Sequence, residues 1–210
     1  MRFPVALGLS VALFLVEGVS GSLSAEEFRP VVVGNDAEQF VLVGVGPKTL
    51  AIHDGEVRVT GAPDGYFATR GSYKNYVLRF EWKYDRPEGL KSEASFQGNS
   101  GLLLHIAEPH KVWPRCIESQ LMNGDAGSLF GVAGAKFHGS KDAGAQKKAI
   151  KPVGEWNLQE VTCKDGAIVC TINGVEVSRG DGASPDHGPI GWQSEGAPIR
   201  FRQLMIKTLE

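Results

Sequence analysis

Short runs of alternating apolar and polar residues recur along most of the chain, and this pattern predicts β-strands. The clearest run is Tyr76 to Tyr84, in which Leu78, Phe80 and Trp82 mark one face of a long half-buried strand. No segment shows a convincing amphipathic helix. Further strands are predicted at Phe40–Val45, Val57–Thr60, Gly101–Ile106, Cys116–Met122, Trp156–Lys164, Ala167–Ile172, Val175–Ser178, Ile190–Ser194 and Ile199–Thr208.

Tight turns separate several of these runs. His53-Asp54-Gly55 is turn-prone, and Asp165-Gly166 and Asn173-Gly174 are favoured two-residue hairpin turns, because their residues tolerate positive φ. The 27 glycines and 11 prolines suit many short strands joined in this way. Sequential short strands with turn signals every 8–12 residues or so are typical of antiparallel sandwiches and barrels. The predicted fold class is therefore all-β.

One region, Gly124 to Gly154, interrupts the strand pattern. It is rich in Gly, Ala and Lys, and Gly139 to Lys148 resembles an exposed loop. Long connections of this kind are uncommon within a domain and often form a binding loop or lid. A surface excursion without function is the alternative.

The N-terminus has the layout of a secretory signal peptide. Met1 and Arg2 are followed by an almost purely apolar run from Phe3 to Val16, and then by small residues up to Ala25. The run is too short to span a membrane comfortably, since a span needs about 20 residues. We therefore expect a signal peptide at 1–25, a single domain at 26–210, and a secreted or periplasmic protein with no membrane attachment after cleavage. An uncleaved anchor is the alternative.

The net charge and the cysteine positions argue against some kinds of partner and metal site. The net charge of −2 provides no basic field for nucleic acid or an anionic membrane, so a neutral or small ligand is favoured. Cys163 and Cys170 lie on opposite arms of the hairpin around Asp165-Gly166, where a disulfide and two buried free thiols are both compatible with the pattern. With Cys116 the count is odd, and no Cys/His spacing indicates a structural zinc site.

Four segments are distinctive in their order and spacing. They are Gly98-Asn99-Ser100-Gly101-Leu102-Leu103-Leu104, Ile117-Glu118-Ser119-Gln120-Leu121, Gly154-Glu155-Trp156-Asn157 with Ile172-Asn173-Gly174, and Gly188-Pro189-Ile190-Gly191-Trp192-Gln193-Ser194-Glu195-Gly196 with Ile199-Arg200-Phe201-Arg202. Together these segments resemble the 3-keto-disaccharide hydrolase domain family. The resemblance covers roughly residues 40–209 and implies a concanavalin A-like jelly-roll sandwich. It also implies an activity on glycosides oxidised to a ketone at sugar carbon 3.

The chain departs from the family pattern at two positions. Many members carry Arg where this chain has His105, and many carry Asp-His where it has Ser194-Glu195. Both positions fall where chemistry is expected.

Strand alternation predicts which polar side chains share a face. Glu118 and Gln120 alternate with apolar neighbours on one strand, Gln193 and Glu195 on another, and His105 shares a face with Gly101 and Leu103. Removing the proton at carbon 2 of a 3-keto sugar requires a base, and the leaving group requires an acid. The candidates for this chemistry are Glu118, His105 and Glu195, and the candidates for substrate binding are Asn99, Gln120, Gln193, Trp156 and His138.

Two further roles are open for these residues. A divalent metal held by His105 with Glu118 or Glu195 could stabilise the enolate, and Trp113, Trp156 and Trp192 could present ring faces to the sugar. Each residue also has an ordinary structural explanation, as a solvated, strand-bridging, turn-forming or core side chain. A glycosidase with paired carboxylates and a carbohydrate-binding module without catalysis are the alternatives to the keto-sugar enzyme.

Overall fold

The computed structural model describes residues 27–210 and consists of two antiparallel sheets packed face to face. The larger sheet contains β1 (Arg29–Pro30), β3 (Leu50–His53), β4 (Glu56–Val59), β6 (Tyr76–Tyr84), β10 (Lys136–Lys141), β11 (Asn157–Lys164), β12 (Ala167–Ile172), β13 (Val175–Ser184) and β15 (Ile199–Thr208). The smaller contains β2 (Phe40–Val43), β5 (Gly65–Thr69), β7 (Gly101–Leu104), β8 (Cys116–Gln120), β9 (Leu129–Val132) and β14 (Gly191–Ser194).

Strands distant in sequence are neighbours in both sheets. The larger sheet has the order β10-β13-β12-β11-β6-β15-β4-β3, with β1 beside β15, and the smaller has β2-β5-β14-β7-β8-β9. The helical elements are α1 (Ala143–Ala149) and two 3₁₀ helices (Ala37–Gln39 and Glu93–Ser95). The predicted all-β, antiparallel jelly-roll sandwich is confirmed.

The main core lies between the two sheets and is rich in aromatic residues. Phe80 from the larger sheet meets Trp192 from the smaller, and the Trp192 ring stacks on Phe67 with centroids 5.3 Å apart and 14° between the ring planes. Trp192 is fully buried there. The prediction that it offers a ring face to a sugar is therefore wrong.

The hairpin predictions hold in detail. β11 and β12 pair through Lys164 and Ala167, with Asp165 at φ 50° and Gly166 at φ 80°. Cys163 faces Ile168 across this hairpin, so it is not opposite Cys170. In the described part of the chain all three cysteines are free and buried, which decides between the two predicted states of Cys163 and Cys170.

The segment expected to be a loop is largely structured. It contains β9, β10 and α1, and Asp142 caps α1 by accepting hydrogen bonds from the backbone N–H groups of Gly144 and Ala145, both at 2.9 Å. The predicted signal peptide lies outside the described residues. Between residues 27 and 210, no helix combines the length and apolar character that crossing a membrane requires.

Candidate active site

The outer face of the smaller sheet, which points away from the main core, is covered at one end. Tyr66, Ala68, Leu103 and Cys116 form a second buried cluster with Ile106, the second residue of the loop 105–115. The loop crosses this end of the face, since a Cβ built on Gly44 would lie 2.8 Å from the side chain of Val112. The other end of the face carries the polar residues.

Glu118 and Gln193 converge on the space beside Gly101. A Cβ built on Gly101 would lie 2.5 Å from Glu118 Oε1 and would overlap Gln193 Oε1. Gln193 is 1% exposed, and its Oε1 atom has no hydrogen-bond partner among the described residues. An unpaired buried acceptor is costly and points to a partner absent from the protein itself, such as a ligand hydroxyl.

The Glu118 carboxyl is held in an environment that favours its protonated form. Only 6% of Glu118 is exposed. Burial, and secondarily the nearby charge of Glu195, raise the pKa of Glu118 to about 8. At neutral pH this carboxyl is therefore mostly protonated and can donate a proton.

Glu195 is the second carboxyl of the site. It follows β14, where the backbone of Asn99 forms bridges with Glu195 and Gly196 that continue the strand pairing. Burial and the charge of Asp64 raise the pKa of Glu195, while a hydrogen bond from Asn99 opposes that rise. Glu195 is half-buried, so it remains more accessible to water and to a ligand than Glu118. Glu118, Gln193, Glu195 and Asn99 therefore lie in one region of the smaller sheet.

Gln120 lies on β8 with Glu118, but its side-chain oxygen is hydrogen-bonded to the backbone. Its Oε1 atom accepts hydrogen bonds from the N–H groups of Leu121 and Met122, both at 2.9 Å. The oxygen therefore fixes the chain where β8 ends, and only the amide nitrogen is left for a ligand.

Phe130 is a feature of the site that the sequence pattern did not indicate. It lies on β9 directly opposite Glu118 and is 37% exposed. A partly exposed ring beside a buried carboxyl is suited to the C–H face of a sugar.

His105 is not part of this constellation. β7 ends at Leu104, and His105 adopts a left-handed conformation with φ 57°. Its ring packs edge-on against the core residue Tyr76, with centroids 5.7 Å apart. The expectation that His105 shares a face with Gly101 and Leu103 is wrong, because the strand alternation stops one residue earlier.

Trp156 and His138 also lie away from Glu118. Trp156 precedes β11 and packs between two cations of the larger sheet, with Arg202 Cζ 4.0 Å and Lys83 Nζ 4.9 Å from its ring centroid. His138 lies on β10 and is largely exposed, with Nδ1 3.4 Å from the carboxylate of Asp181. The structure does not bring either side chain to the polar end of the outer face.

The family model of the 3-keto-alpha-glucoside-1,2-lyase-like domain matches residues 26–207. The chain belongs to this family. Among curated proteins, none matches it significantly.

Solved structures share the fold of this family member at low sequence identity. A candidate glycosyl hydrolase from Parabacteroides distasonis ATCC 8503 is 21% identical, with a TM-score of 0.66 over 87% of this chain and 100% of that one. The carbohydrate-binding module CBM66 from Bacillus subtilis is 10% identical, with a TM-score of 0.55 over 81% and 96%. The β-glucanase of Bacillus licheniformis is 9% identical, with a TM-score of 0.53 over 90% and 100%.

The predicted metal ligands His105 and Glu118 lie on opposite sides of the smaller sheet. His105 points into the core side of the sandwich, whereas Glu118 lies on the outer face. Among residues 27–210 there is no group of three His, Cys, Asp or Glu side chains arranged to hold a metal ion.

Gly101→Ala is expected to disrupt the site while leaving the fold intact. The new Cβ would displace the ends of two side chains, Glu118 and Gln193, rather than backbone. A shift of about 1 Å in catalytic groups can cost about 100-fold in rate, so we expect at least a tenfold loss of turnover with little change in melting temperature. Gly46→Ala is the matched control, because a Cβ there meets nothing within 4 Å. Unchanged turnover in Gly101→Ala would remove Glu118 and Gln193 from the site.

Proposed function

We propose that the chain cleaves glycosides that carry a ketone at sugar carbon 3, by elimination across carbons 1 and 2. The observation that carries this proposal is the pair of carboxyls Glu118 and Glu195, which lie close enough to interact but differ in burial. Membership of the 3-keto-alpha-glucoside-1,2-lyase-like family supports the substrate class.

The ketone determines the chemistry. It acidifies the hydrogen at carbon 2, so a carboxylate can remove that proton and leave an enolate. The enolate electrons then form the carbon 1–carbon 2 double bond as the bond from carbon 1 to the aglycone oxygen breaks, and that oxygen takes a proton. The products are an unsaturated keto sugar and the free alcohol. Addition of water to the double bond completes a net hydrolysis.

The two carboxyls divide these proton transfers between them. Paired carboxyls whose environments separate their pKa values act as acid and base. Glu118, with its pKa raised to about 8, supplies the proton to the aglycone oxygen. Glu195, which is more accessible and accepts a hydrogen bond from Asn99, removes the proton from carbon 2. Because the protonated form of Glu118 is the active one, turnover is expected to fall as the pH rises through about 8.

The surrounding groups orient the sugar. The unpaired oxygen of Gln193 can accept a hydrogen bond from a sugar hydroxyl, and the amide nitrogen of Gln120 can donate one. The Phe130 ring contacts the apolar face of the same sugar.

Aglycone release from methyl 3-keto-glucoside by the purified protein tests the proposal. Release faster than the buffer blank, with no release from the unoxidised glucoside, is the expected result. Saturable binding of the unoxidised sugar without any release would favour the second candidate function, a carbohydrate-binding module. The observation in favour of that candidate is the set of exposed aromatic side chains, Trp113 and Phe130.

Phe130→Ala is expected to weaken substrate binding more than chemistry. Loss of the ring contact, worth about 1 kcal/mol, should raise KM about fivefold with kcat nearly unchanged. Val175→Ala is the control, because Val175 is a similarly exposed apolar residue on the larger sheet. A fall in kcat at constant KM would contradict a role in binding.

The apolar N-terminal run supports the further proposal that the protein works outside the cytoplasm. Residues 3–16 contain the expected hydrophobic stretch of a signal peptide.

A further inference from the structure

A cavity of about 540 Å³ lies between α1 and the turn that follows β8. Asn123, Gly124 and Asp125 form one side of it, and the helix with the segment Ile150 to Pro152 forms the other. Neither Glu118 nor Glu195 lines it, so the cavity is separate from the carboxyl pair. We name it the lysine cavity after Lys141, Lys147 and Lys151, which all line it.

The acidic residues of the lysine cavity are already neutralised. Asp125 forms an ion pair with Lys141 and accepts a hydrogen bond from Ser128. Glu93 accepts hydrogen bonds from Arg86 at 2.6 Å and from the Val153 N–H at 2.7 Å. Those partners lower the pKa of Glu93 and keep it ionised.

Two of the lysines keep an uncompensated charge. Lys147 has no hydrogen-bond or ion-pair partner in the part of the chain that the structure describes, and Lys151 Nζ donates only to the Trp156 carbonyl, at 3.1 Å. Both are exposed at the cavity. A concave site with two such ammonium groups attracts an anion.

The cavity is held in a fixed shape. The Gln146 amide nitrogen donates to the Ala126 carbonyl at 2.8 Å and to Ser128 Oγ at 3.2 Å, which ties α1 to the turn after β8. Asn173 donates to the Ala149 carbonyl at 2.8 Å and fixes the other end of the helix. The lysine backbones therefore do not need to be ordered when a ligand binds, which reduces the entropic cost of binding.

The apolar part of the cavity lining indicates the kind of molecule to which the anionic group belongs. Ala94, Ala143, Ile150 and Pro152 contribute apolar surface beside the ammonium groups, a combination suited to a group that is part of a larger molecule. The carboxylates of Glu195 and the nearby Asp64 would repel the same anion from the site of the carboxyl pair. The charged group and the reacting sugar are thus directed to different places.

We propose that the lysine cavity binds an anionic group, a carboxylate or sulfate ester, of a saccharide. The proposal rests on the proposed function only in taking the ligand to be a saccharide. It assigns to α1 and its flanks a role in selecting acidic glycans over neutral ones.

Calorimetric titration with a sulfated disaccharide and its desulfated counterpart tests this site. The sulfated form is expected to bind at least tenfold more tightly at 50 mM salt, and this advantage should shrink in 300 mM salt, where charges are screened. The double variant Lys147→Glu, Lys151→Glu should abolish this advantage. The control variant Lys164→Glu, which changes an exposed lysine at the end of β11, should preserve it.

Three outcomes would overturn the proposal. They are equal affinity for the two disaccharides, equal loss of affinity in Lys164→Glu, and inorganic sulfate binding as tightly as the sulfated sugar. A turnover assay with neutral methyl 3-keto-glucoside tests the catalytic proposal separately from the lysine cavity. The double variant should turn over this substrate at the wild-type rate. If the wild-type protein shows no turnover but still binds the sulfated sugar through the lysines, only the catalytic proposal fails.

Discussion

Replacing Glu118 with Gln is expected to lower turnover of methyl 3-keto-glucoside by about 10²–10⁴-fold, the usual contribution of a general acid. Gln keeps the shape of the side chain but cannot supply a proton to the departing methoxide. Binding should change little. With a 4-nitrophenyl aglycone, whose oxygen leaves without protonation, most of the activity should remain.

Two controls accompany the Glu118→Gln comparison. Glu155→Gln removes an exposed carboxyl ahead of β11 and should not alter either rate. Glu195→Gln should lower turnover of both substrates, because loss of the base affects the carbon 2 proton whatever the aglycone. Equal losses with the two aglycones in Glu118→Gln would exclude its role as the acid for the leaving group.

The second large effect concerns stability, because Glu118 and His105 respond to pH in opposite directions. Burial raises the pKa of Glu118 to about 8 and lowers that of His105 to about 4. The raised carboxyl pKa penalises the folded state as the pH rises from about 4.5 towards 8. The lowered imidazole pKa penalises it as the pH falls from about 6.5 towards 4, because only the unfolded chain takes up the proton readily.

Replacing either Glu118 or His105 should therefore leave a pH dependence of stability that is set by the residue that remains. As the pH falls from 7 to 5, His105 lowers the free energy of unfolding by about 2 kcal/mol, and Glu118 raises it by about 2 kcal/mol. Glu118→Gln is expected to be about 3 kcal/mol more stable than wild type at pH 7. By pH 5 this variant should lose about 2 kcal/mol of its own stability, because His105 is still present. In His105→Asn, where Asn tolerates the left-handed backbone, stability should rise on acidification. Urea unfolding of the three proteins at both pH values measures this.

The structure of the His105 environment explains why its titration is costly. It is 1% exposed, and neither ring nitrogen makes a hydrogen bond of ordinary geometry with any described residue. The nearby Pro185 and Lys74 carbonyls and the Asp186 charge oppose the effect of burial only in part. If all three proteins showed the same pH dependence of unfolding, this account of both residues would be wrong.

The sequence pattern predicted those strands that bury one face and expose the other to solvent. β6 and β11 alternate because one face meets the core and the other meets solvent. β5 does not alternate, since Phe67 enters the main core while Tyr66 and Ala68 are buried beneath the loop 105–115. Alternation alone could not reveal such a strand, because burial of its second face depends on a distant segment.

The candidate site was predictable where strand regularity extends to the functional residue. Glu118 and Gln193 lie inside β8 and β14, so their shared face followed from the alternation. His105 lies one residue beyond β7, where a left-handed residue redirects its side chain. Phe130 and α1 lie in a segment whose Gly-rich composition indicated a loop, although pairing of β9 with β8 orders the strand.

Methyl 3-keto-glucoside deuterated at carbon 2 distinguishes elimination across carbons 1 and 2 from direct hydrolysis at carbon 1. Elimination should release the aglycone more slowly from the deuterated substrate, and the deuterium should be lost to water as the bond to the aglycone is broken. Release at the same rate as from the undeuterated substrate, with the deuterium retained in the sugar product, would contradict it and indicate direct hydrolysis at carbon 1 by the Glu118–Glu195 pair.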